Sequence, residues 1–248
     1  ARRPLIVHDD PNSARAEAFR SLRTNLQFLD VEGGPRSFVI ASAIPEEGKT
    51  TTAANLAIAI AQSGARVAVV DADLRRPRLA GYLGLEGAVG LSDVLIGRVP
   101  LTDALQPWGN VPLMVLPAGT RPPNPSELLG SRAMELLLQV LEREFDTVLI
   151  DVPPLLPVTD GALLAKQTRG ALLLVAAGRV RRDELAGAIR ALENVDAHLS
   201  GLILTMLPVK GPDAYGRYGY GRYGSGRYGH RRYGLDGVPV PVPATGAR

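Results

Sequence analysis

The 248-residue chain contains no cysteine, which excludes a disulfide scaffold and any thiolate metal site and fits a reducing compartment. Its three histidines, His8, His198 and His230, are too scattered for the spacing of a histidine metal cluster. No apolar run approaches the ~20 residues that cross a bilayer. The richest runs, Asn55 to Ala61 and Ala171 to Ala177, have the length of core elements. Arg2 and Arg3 have no apolar segment behind them, which argues against a secretory signal. The chain does not start with methionine, and the expectation is a cytosolic piece of a longer, membrane-anchored protein.

Charge is small in total but uneven in place. The net charge is +3. From Lys210 onward, Lys210, Arg217, Arg222, Arg227, Arg231, Arg232 and Arg248 face only Asp213 and Asp236, so this segment carries +5 and the remainder −2. The basic character therefore belongs to the tail, and the folded part is not expected to bind nucleic acid. A 46% hydrophobic and 21% charged composition is that of a globular protein. The length suits one α/β domain, or at most two small ones.

Along the chain, apolar β-rich runs alternate with helical patterns. Residues 13–28 read as a helix with Phe19, Leu22 and Leu26 on one stripe. Strands are expected at 37–42, 66–71, 113–116, 147–151, 171–177 and 202–206. Helices are expected at 49–63 (closed by Gly64), 161–166 and 182–193. Asn124, Pro125 and Glu127 read as N-cap, N1 and N3 of a further helix. Strands apolar on both faces and separated by helices imply a three-layer α/β/α domain with a mainly parallel central sheet. In such sheets ligands bind at the carboxyl ends of the strands. After Leu207 a pentapeptide repeat, GRYGY-GRYGS-GRYGH-RRYGL, spaces Tyr218, Tyr223, Tyr228 and Tyr233 five apart, with Tyr215 and Tyr220 outside the repeat. The glycines and the scarcity of aliphatic residues predict a disordered tail, ending in an extended VPVPVPATGAR segment. The expected division is a domain over 1–207 and a flexible tail over 208–248.

The chemistry is concentrated at three strand ends. The segment from Phe38 to Thr52 follows a strand, opens a helix and contains Glu47-Gly48-Lys49-Thr50-Thr51. That is the context of a phosphate-binding loop. Gly48 lets backbone approach the phosphates, loop and helix amides point at them, Lys49 supplies charge, and the Thr50 hydroxyl suits Mg²⁺. Standing alone, the same letters describe an ordinary polar strand–helix turn. Val67 to Arg75 (VAVVDADLR) and Val148 to Pro154 (VLIDVPP) each put aspartate at the end of an apolar strand. A single such aspartate reads most simply as a loop cap. Asp71, Asp73 and Asp151 in register with the lysine loop read instead as the carboxylates around one Mg²⁺–nucleotide.

These motifs together resemble the bacterial tyrosine kinases of capsule and exopolysaccharide assembly. The loop is similar to their P-x-E-G-K-[ST] form, DADLR to their second motif D-x-D-x-R, and VLIDVPP to their Walker B motif. Glu17, Arg20 and Arg23 match their E-x-x-R-x-x-R helix motif, and GLSDVL and LPAGTRPPNPSELL also resemble family segments. The family usually has glycine where Glu46 stands, and commonly asparagine, a candidate adenine contact, where Thr205 stands. The resemblance implies an ATP- and Mg²⁺-dependent autokinase. Glu47, Gly48, Lys49, Thr50, Thr51 and Arg75 would form the nucleotide-binding set, and Thr50, Asp73 and Asp151 the metal set. Asp71 is the implied base, beside Lys49, Asp73 and Asp151 in the catalytic group. Tyr215, Tyr218, Tyr220, Tyr223, Tyr228 and Tyr233 would be the acceptors. It further implies a ring-like homo-oligomer built through Glu17, Arg20 and Arg23, although Glu17 and Arg20 also suit a plain intrahelical pair. A transmembrane polysaccharide co-polymerase as activator, fused or separate, a cognate tyrosine phosphatase, and a place at the inner face of the plasma membrane are implied as well. Two other readings stay open on the residues. One is a partition- or positioning-type ATPase switch, whose signature lysine would fall where Ile44 stands. The other is a phosphate-loop protein whose GRYG tail binds RNA.

Overall fold

A strand covered on both faces must be apolar throughout rather than alternating. In the computed structural model, which describes residues 5–28 and 36–208, such strands lie at the centre of one sheet. The strands are β1 Ser37–Ser42, β2 Val67–Asp71, β3 Gln106–Pro107, β4 Leu113–Leu116, β5 Thr147–Asp151, β6 Ala171–Ala176 and β7 Leu199–Thr205. Their order is β3-β4-β2-β5-β1-β6-β7. Every pairing is parallel except β3 with β4. Successive residues of β1 feed opposite layers. Phe38 and Ile40 join the core under α1 Ile6–Asp9, α2 Ala14–Phe28, α3 Lys49–Ala61 and α4 Leu79–Leu83. Val39 and Ala41 join the core on the opposite face. The short helices α5 Leu91–Leu95, α6 Leu101–Ala104 and α7 Pro125–Leu129 feed that second core, with α8 Arg132–Glu144, α9 Asp160–Gln167 and α10 Arg182–Glu193. This is the expected three-layer α/β/α arrangement.

Helix α3 is almost wholly buried because its inward faces are largely alanine. Ala53, Ala54, Ala57 and Ala59 have no exposure, and side chains this small let neighbouring backbones approach closely. Asn55 is buried among them and satisfied: its Oδ1 accepts from the Val7 amide at 2.9 Å, and its amide nitrogen donates to the Thr51 carbonyl at 2.8 Å. The segments GLSDVL and LPAGT pack against each other. The Leu91 amide donates to the Pro117 carbonyl (2.7 Å) and the Thr120 amide to Asp93 Oδ2 (3.1 Å). A Cβ on Gly90 would come 2.0 Å from the Pro117 carbonyl oxygen, so only glycine fits there.

Several sequence expectations shift. The last strand begins at Leu199 rather than at residue 202, and Leu202 and Leu204 are 53% and 55% exposed. Covering on both faces therefore stops short of this edge strand. Asn124 stands at the N-cap of α7 as expected, but its side chain makes no cap bond and donates to Glu127 Oε2 at 2.6 Å. Helix α8, which the strand-based reading passes over, is a full helix capped by Ser131, whose Oγ accepts from the Met134 amide at 3.3 Å. Its Met134, Leu137, Leu138 and Leu141 face the core, while Val140 is 44% exposed. Leu138→Ala should therefore lower unfolding free energy by about 2–5 kcal/mol. Val140→Ala should change it by less than about 0.5 kcal/mol. Urea denaturation of the two variants side by side checks this, and equal losses would remove α8 from the core.

Candidate active site

The parallel register sets the site. Asp71 and Asp151 are direct partners on β2 and β5, and Asp151 also pairs with Ile40 of β1. The chain leaves β1 two residues later and forms the phosphate loop. Gly48, the residue before α3, has φ 94°, and a Cβ there would meet nothing within 4 Å. The requirement at this position is the left-handed backbone rather than space. Glu46 also lies in the left-handed region, at φ 65°. That explains why glycine would be the expected residue there, since a β-carbon in this region costs about 1–2 kcal/mol.

The sequence placed Glu47 among the nucleotide-binding residues, but its side chain faces inward. Fully buried, it accepts from the Ile44 amide (2.8 Å) and the Ala176 amide (3.0 Å). Its carbonyl accepts from Thr205 Oγ1 at 2.9 Å. Glu47 thus fastens the loop to the ends of β6 and β7, and only its backbone is left to approach a phosphate. Thr205, whose place suggested a base contact, is part of the same fastening.

A cleft of about 500 Å³ opens over the loop, lined by Gly48, Lys49, Thr50, Thr51, Asp73 and Arg75 among others. Lys49 is the first residue of α3 and is 9% exposed. Burial pushes its ammonium below the ordinary lysine range, and the nearby Arg78 charge pushes the same way, while Asp151, Asp73 and Glu47 oppose. Asp71 is buried and accepts from the amides of Leu79 (2.9 Å), Arg78 (3.1 Å) and Asp73 (3.2 Å). Burial outweighs those amides and pushes its pKa up to about 7. Asp151 is 1% exposed and both of its carboxylate oxygens lack a hydrogen-bond partner. Burial, with the Asp71 charge next in size, raises it well above the usual carboxylate range; the Thr50 hydroxyl and Lys49 offset part of this without forming a full hydrogen bond. Bare oxygens at a phosphate loop, beside a hydroxyl, are the donor set of a divalent cation that keeps one or two carboxylates and takes its other ligands from phosphate and water. The residues present fit Mg²⁺.

Arg75 lines the cleft, but its guanidinium is committed elsewhere. Its Nε and Nη2 bind the two oxygens of Asp160 at 2.8 and 3.1 Å, and Nη2 also donates to Ser126 Oγ at 3.0 Å. Neither Asp160 nor Ser126 was legible as a site residue, because a carboxylate and a hydroxyl in a Pro-rich loop and at a helix start read as caps. Arg76, Arg78, Tyr82 and Met206, also at the cleft, carry no motif of their own. Glu17, Arg20 and Arg23 lie apart from it on α2. Arg20 Nε pairs with Glu17 at 2.7 Å, and Arg23 Nη1 donates to the Ala59 carbonyl at 3.1 Å. Ala59 is ten residues beyond Lys49, about 15 Å along α3 at the rise of a helix. The six tail tyrosines lie outside the described residues.

Residues 38–211 match the CobQ/CobB/MinD/ParA nucleotide-binding domain. The tyrosine-protein kinase YwqD of Bacillus subtilis is 38% identical over 217 residues, covering 88% of this chain and 92% of that protein. The chain belongs to the bacterial tyrosine-protein kinases. CpsD of Streptococcus agalactiae, also a tyrosine-protein kinase, is 35% identical, with 82% and 88% covered. The chain spans 29% of the length of the tyrosine-protein kinase etk of Escherichia coli. Among solved structures, the chimerical protein CapA2B2 is 37% identical with TM-score 0.79, covering 83% of this chain and 90% of that one. The kinase domain of Escherichia coli ETK is 34% identical with TM-score 0.78, covering 81% and 78%. A plasmid partition protein from Borrelia burgdorferi, 17% identical with TM-score 0.58 over 69% of this chain, shares the fold alone. The kinase family is therefore favoured over the partition-type reading. No helix among the described residues is long and apolar enough to cross a membrane.

The paired carboxylates give this kinase domain a signed pH dependence. Asp71 and Asp151 have pKa values raised above those of the unfolded chain, so the folded state binds more protons. The stability they confer is complete below about pH 4, the range of unfolded aspartate. It is lost as pH rises through the Asp71 value of about 7. In the absence of nucleotide and divalent cation, unfolding free energy should fall between pH 5 and about pH 8, and Asp71→Asn should flatten that slope. A wild-type stability that rises over the same range would contradict the assignment.

Proposed function

We propose that the chain is an ATP-dependent protein-tyrosine autokinase that phosphorylates its own C-terminal tyrosine cluster and thereby regulates assembly or export of a capsular or extracellular polysaccharide. The observation that carries this is Asp71: a carboxylate fixed by three backbone amides directly beside Asp151 in the sheet, with a pKa of about 7. Such a group can take a phenolic proton at neutral pH, as a general base requires. Lys49 and the loop amides would hold the β- and γ-phosphates of the ATP substrate. Thr50, Asp73 and Asp151 would hold Mg²⁺, directly or through water, which neutralises phosphate charge and aligns the donor. Phosphoryl transfer needs positioning and charge neutralisation more than covalent chemistry, so this set suffices.

The exit of the tail supports the same reading. Thr205, the last residue of β7, is bonded to the phosphate loop, and Met206 lines the cleft. The segment that leads to the tyrosines therefore starts at the rim of the site. Tyr215 lies eight residues beyond Leu207, a reach of at most ~26–29 Å. Tyr233 can reach farther, far enough for a neighbouring subunit. We assign Glu17, Arg20 and Arg23 to self-association into a ring, with a transmembrane co-polymerase as activator and a tyrosine phosphatase as antagonist at the inner face of the plasma membrane.

Two experiments test this. After incubation with Mg²⁺ and ATP, mass spectrometry of the wild-type chain should find phosphotyrosine within residues 215–233. Lys49→Met and Asp71→Asn should fold yet lose nearly all of it, and normal labelling of either variant would sink the assignment. Replacing Glu17, Arg20 and Arg23 together by alanine should lower the mass seen in light scattering while nucleotide still binds. An unchanged mass would leave these residues with only the contacts they make inside one chain.

A further inference from the structure

Three arginines, Arg75, Arg76 and Arg78, line the cleft from the loop that follows β2, and the structure gives them different surroundings. Arg75 grips Asp160, a carboxylate with no exposure, through two hydrogen bonds, and Ser126 Oγ closes the triangle by donating to Asp160 Oδ1 at 2.6 Å. Drawing Arg75 away would strand a buried charge, which is strongly unfavourable. Arg75 therefore works as a strut, joining the β2 loop to α7 and to the start of α9. Arg76 is held through its amide by Asp73 Oδ1 at 2.9 Å, and its side chain is exposed.

Arg78 is exposed as well, and neither it nor Arg76 forms an ion pair among the described residues; the two differ in the carboxylate that holds the backbone. The Arg78 amide donates to Asp71 Oδ2 at 3.1 Å, so its backbone is fixed to the carboxylate assigned as base. Arg78 lines the same cleft as Lys49. Two cations that line one cleft repel each other, and an anion between them offsets that repulsion.

We propose that Arg78 is a catalytic cation of this site, contacting the γ-phosphoryl group during transfer, while Arg75 serves as a positioning residue through Asp160 and Ser126. The inference rests on the phosphoryl-transfer reading above. In that step the tyrosine oxygen bonds to the γ-phosphorus and the phenolic proton passes to Asp71. The bond from that phosphorus to the β,γ-bridging oxygen breaks, and its electron pair stays with ADP. Charge in transit is spread over the equatorial oxygens of the phosphoryl group, where a guanidinium supplied by the same chain is effective.

The test uses the full chain with Arg78→Ala, Arg78→Gln and Arg78→Lys. Three quantities are read: kcat for tail tyrosine phosphorylation, the slow hydrolysis of Mg·ATP by water, and Kd for Mg·ADP with and without tetrafluoroaluminate, which mimics the phosphoryl group in flight. Removing a preorganised donor from a transition state typically costs about 10²–10³ in kcat, and this is expected for Ala and Gln, with Lys between them and wild type. Affinity for Mg·ADP alone should stay within about threefold, while most of the extra affinity gained with tetrafluoroaluminate is lost. Agreement of Ala with Gln, at an unchanged melting temperature, separates this from misfolding. Unchanged kcat and analogue affinity would overturn the proposal, as would a loss confined to Mg·ADP binding. If the wild-type chain hydrolyses Mg·ATP but labels no tyrosine, the acceptor reading fails, and the hydrolysis rates and analogue affinities still decide the role of Arg78.

Discussion

Parallel strands lie about 4.8 Å apart, and the register of β2 with β5 sets Asp71 directly beside Asp151 at that spacing. Neither carboxylate reaches water, and Asp151 has no hydrogen-bond donor at either oxygen. Like charges brought together in a medium of low dielectric repel strongly, and each also loses its hydration. Without a ligand, the pair responds by holding protons, which is the meaning of the upward shifts at both residues. A divalent cation held there would remove the conflict, since the bare oxygens of Asp151 could serve as its ligands. The unliganded domain thus carries a local cost at this pair, and a bound cation would offset it.

The phosphate loop is held from its inner side by polar contacts within the chain. Glu47 is acidic and stands next to Gly48, which from sequence reads as a group near the phosphates. Its carboxylate instead accepts amides from Ile44 and Ala176, so its negative charge is neutralised by backbone dipoles on the far side of the loop. Thr205 completes the same brace. The two departures from the family pattern therefore have different physical content. Glu46 bears the strain of a left-handed backbone on an exposed residue, whereas Thr205 replaces an expected ligand contact with a bond that locks the loop.

What was legible in the sequence follows from which interactions are local. Continuous apolar strands, the glycine and lysine of the loop, and aspartates at strand ends announce themselves within a few residues, and those elements lie where the pattern put them. Helix α8 carries its signal only in the Ser131 cap and the spacing of Leu137, Leu138 and Leu141, with no chemical motif to mark the stretch. The partnership of Arg75 with Asp160 spans 85 residues, and nothing near either residue names the other. The D-x-D-x-R pattern could say that an arginine belongs at position 75, but not that it faces a buried carboxylate. The exposed face of β7 was illegible for the opposite reason: Leu202 and Leu204 look like core residues, and only the sheet order shows them to be at an edge.

The Arg75–Asp160–Ser126 triangle also bears on how the site is held together. Burial alone would raise the Asp160 carboxyl, but the hydrogen bonds from Arg75 and Ser126 outweigh it and hold the group below the ordinary aspartate range. The loop after β2, helix α7 and the start of α9 are therefore joined through one ionised, buried carboxylate. Directly behind that carboxylate, Gly161 leaves no slack: an added Cβ would meet Val152 Cγ2 at 2.9 Å and Leu155 Cδ2 at 3.0 Å, on the strand-exit segment that follows Asp151. The segment that follows Asp151, the loop bearing the arginines and the start of α9 are thus packed into one frame. Arg78, whose side chain is exposed at the cleft, stands outside that triangle, although its backbone is tied to Asp71.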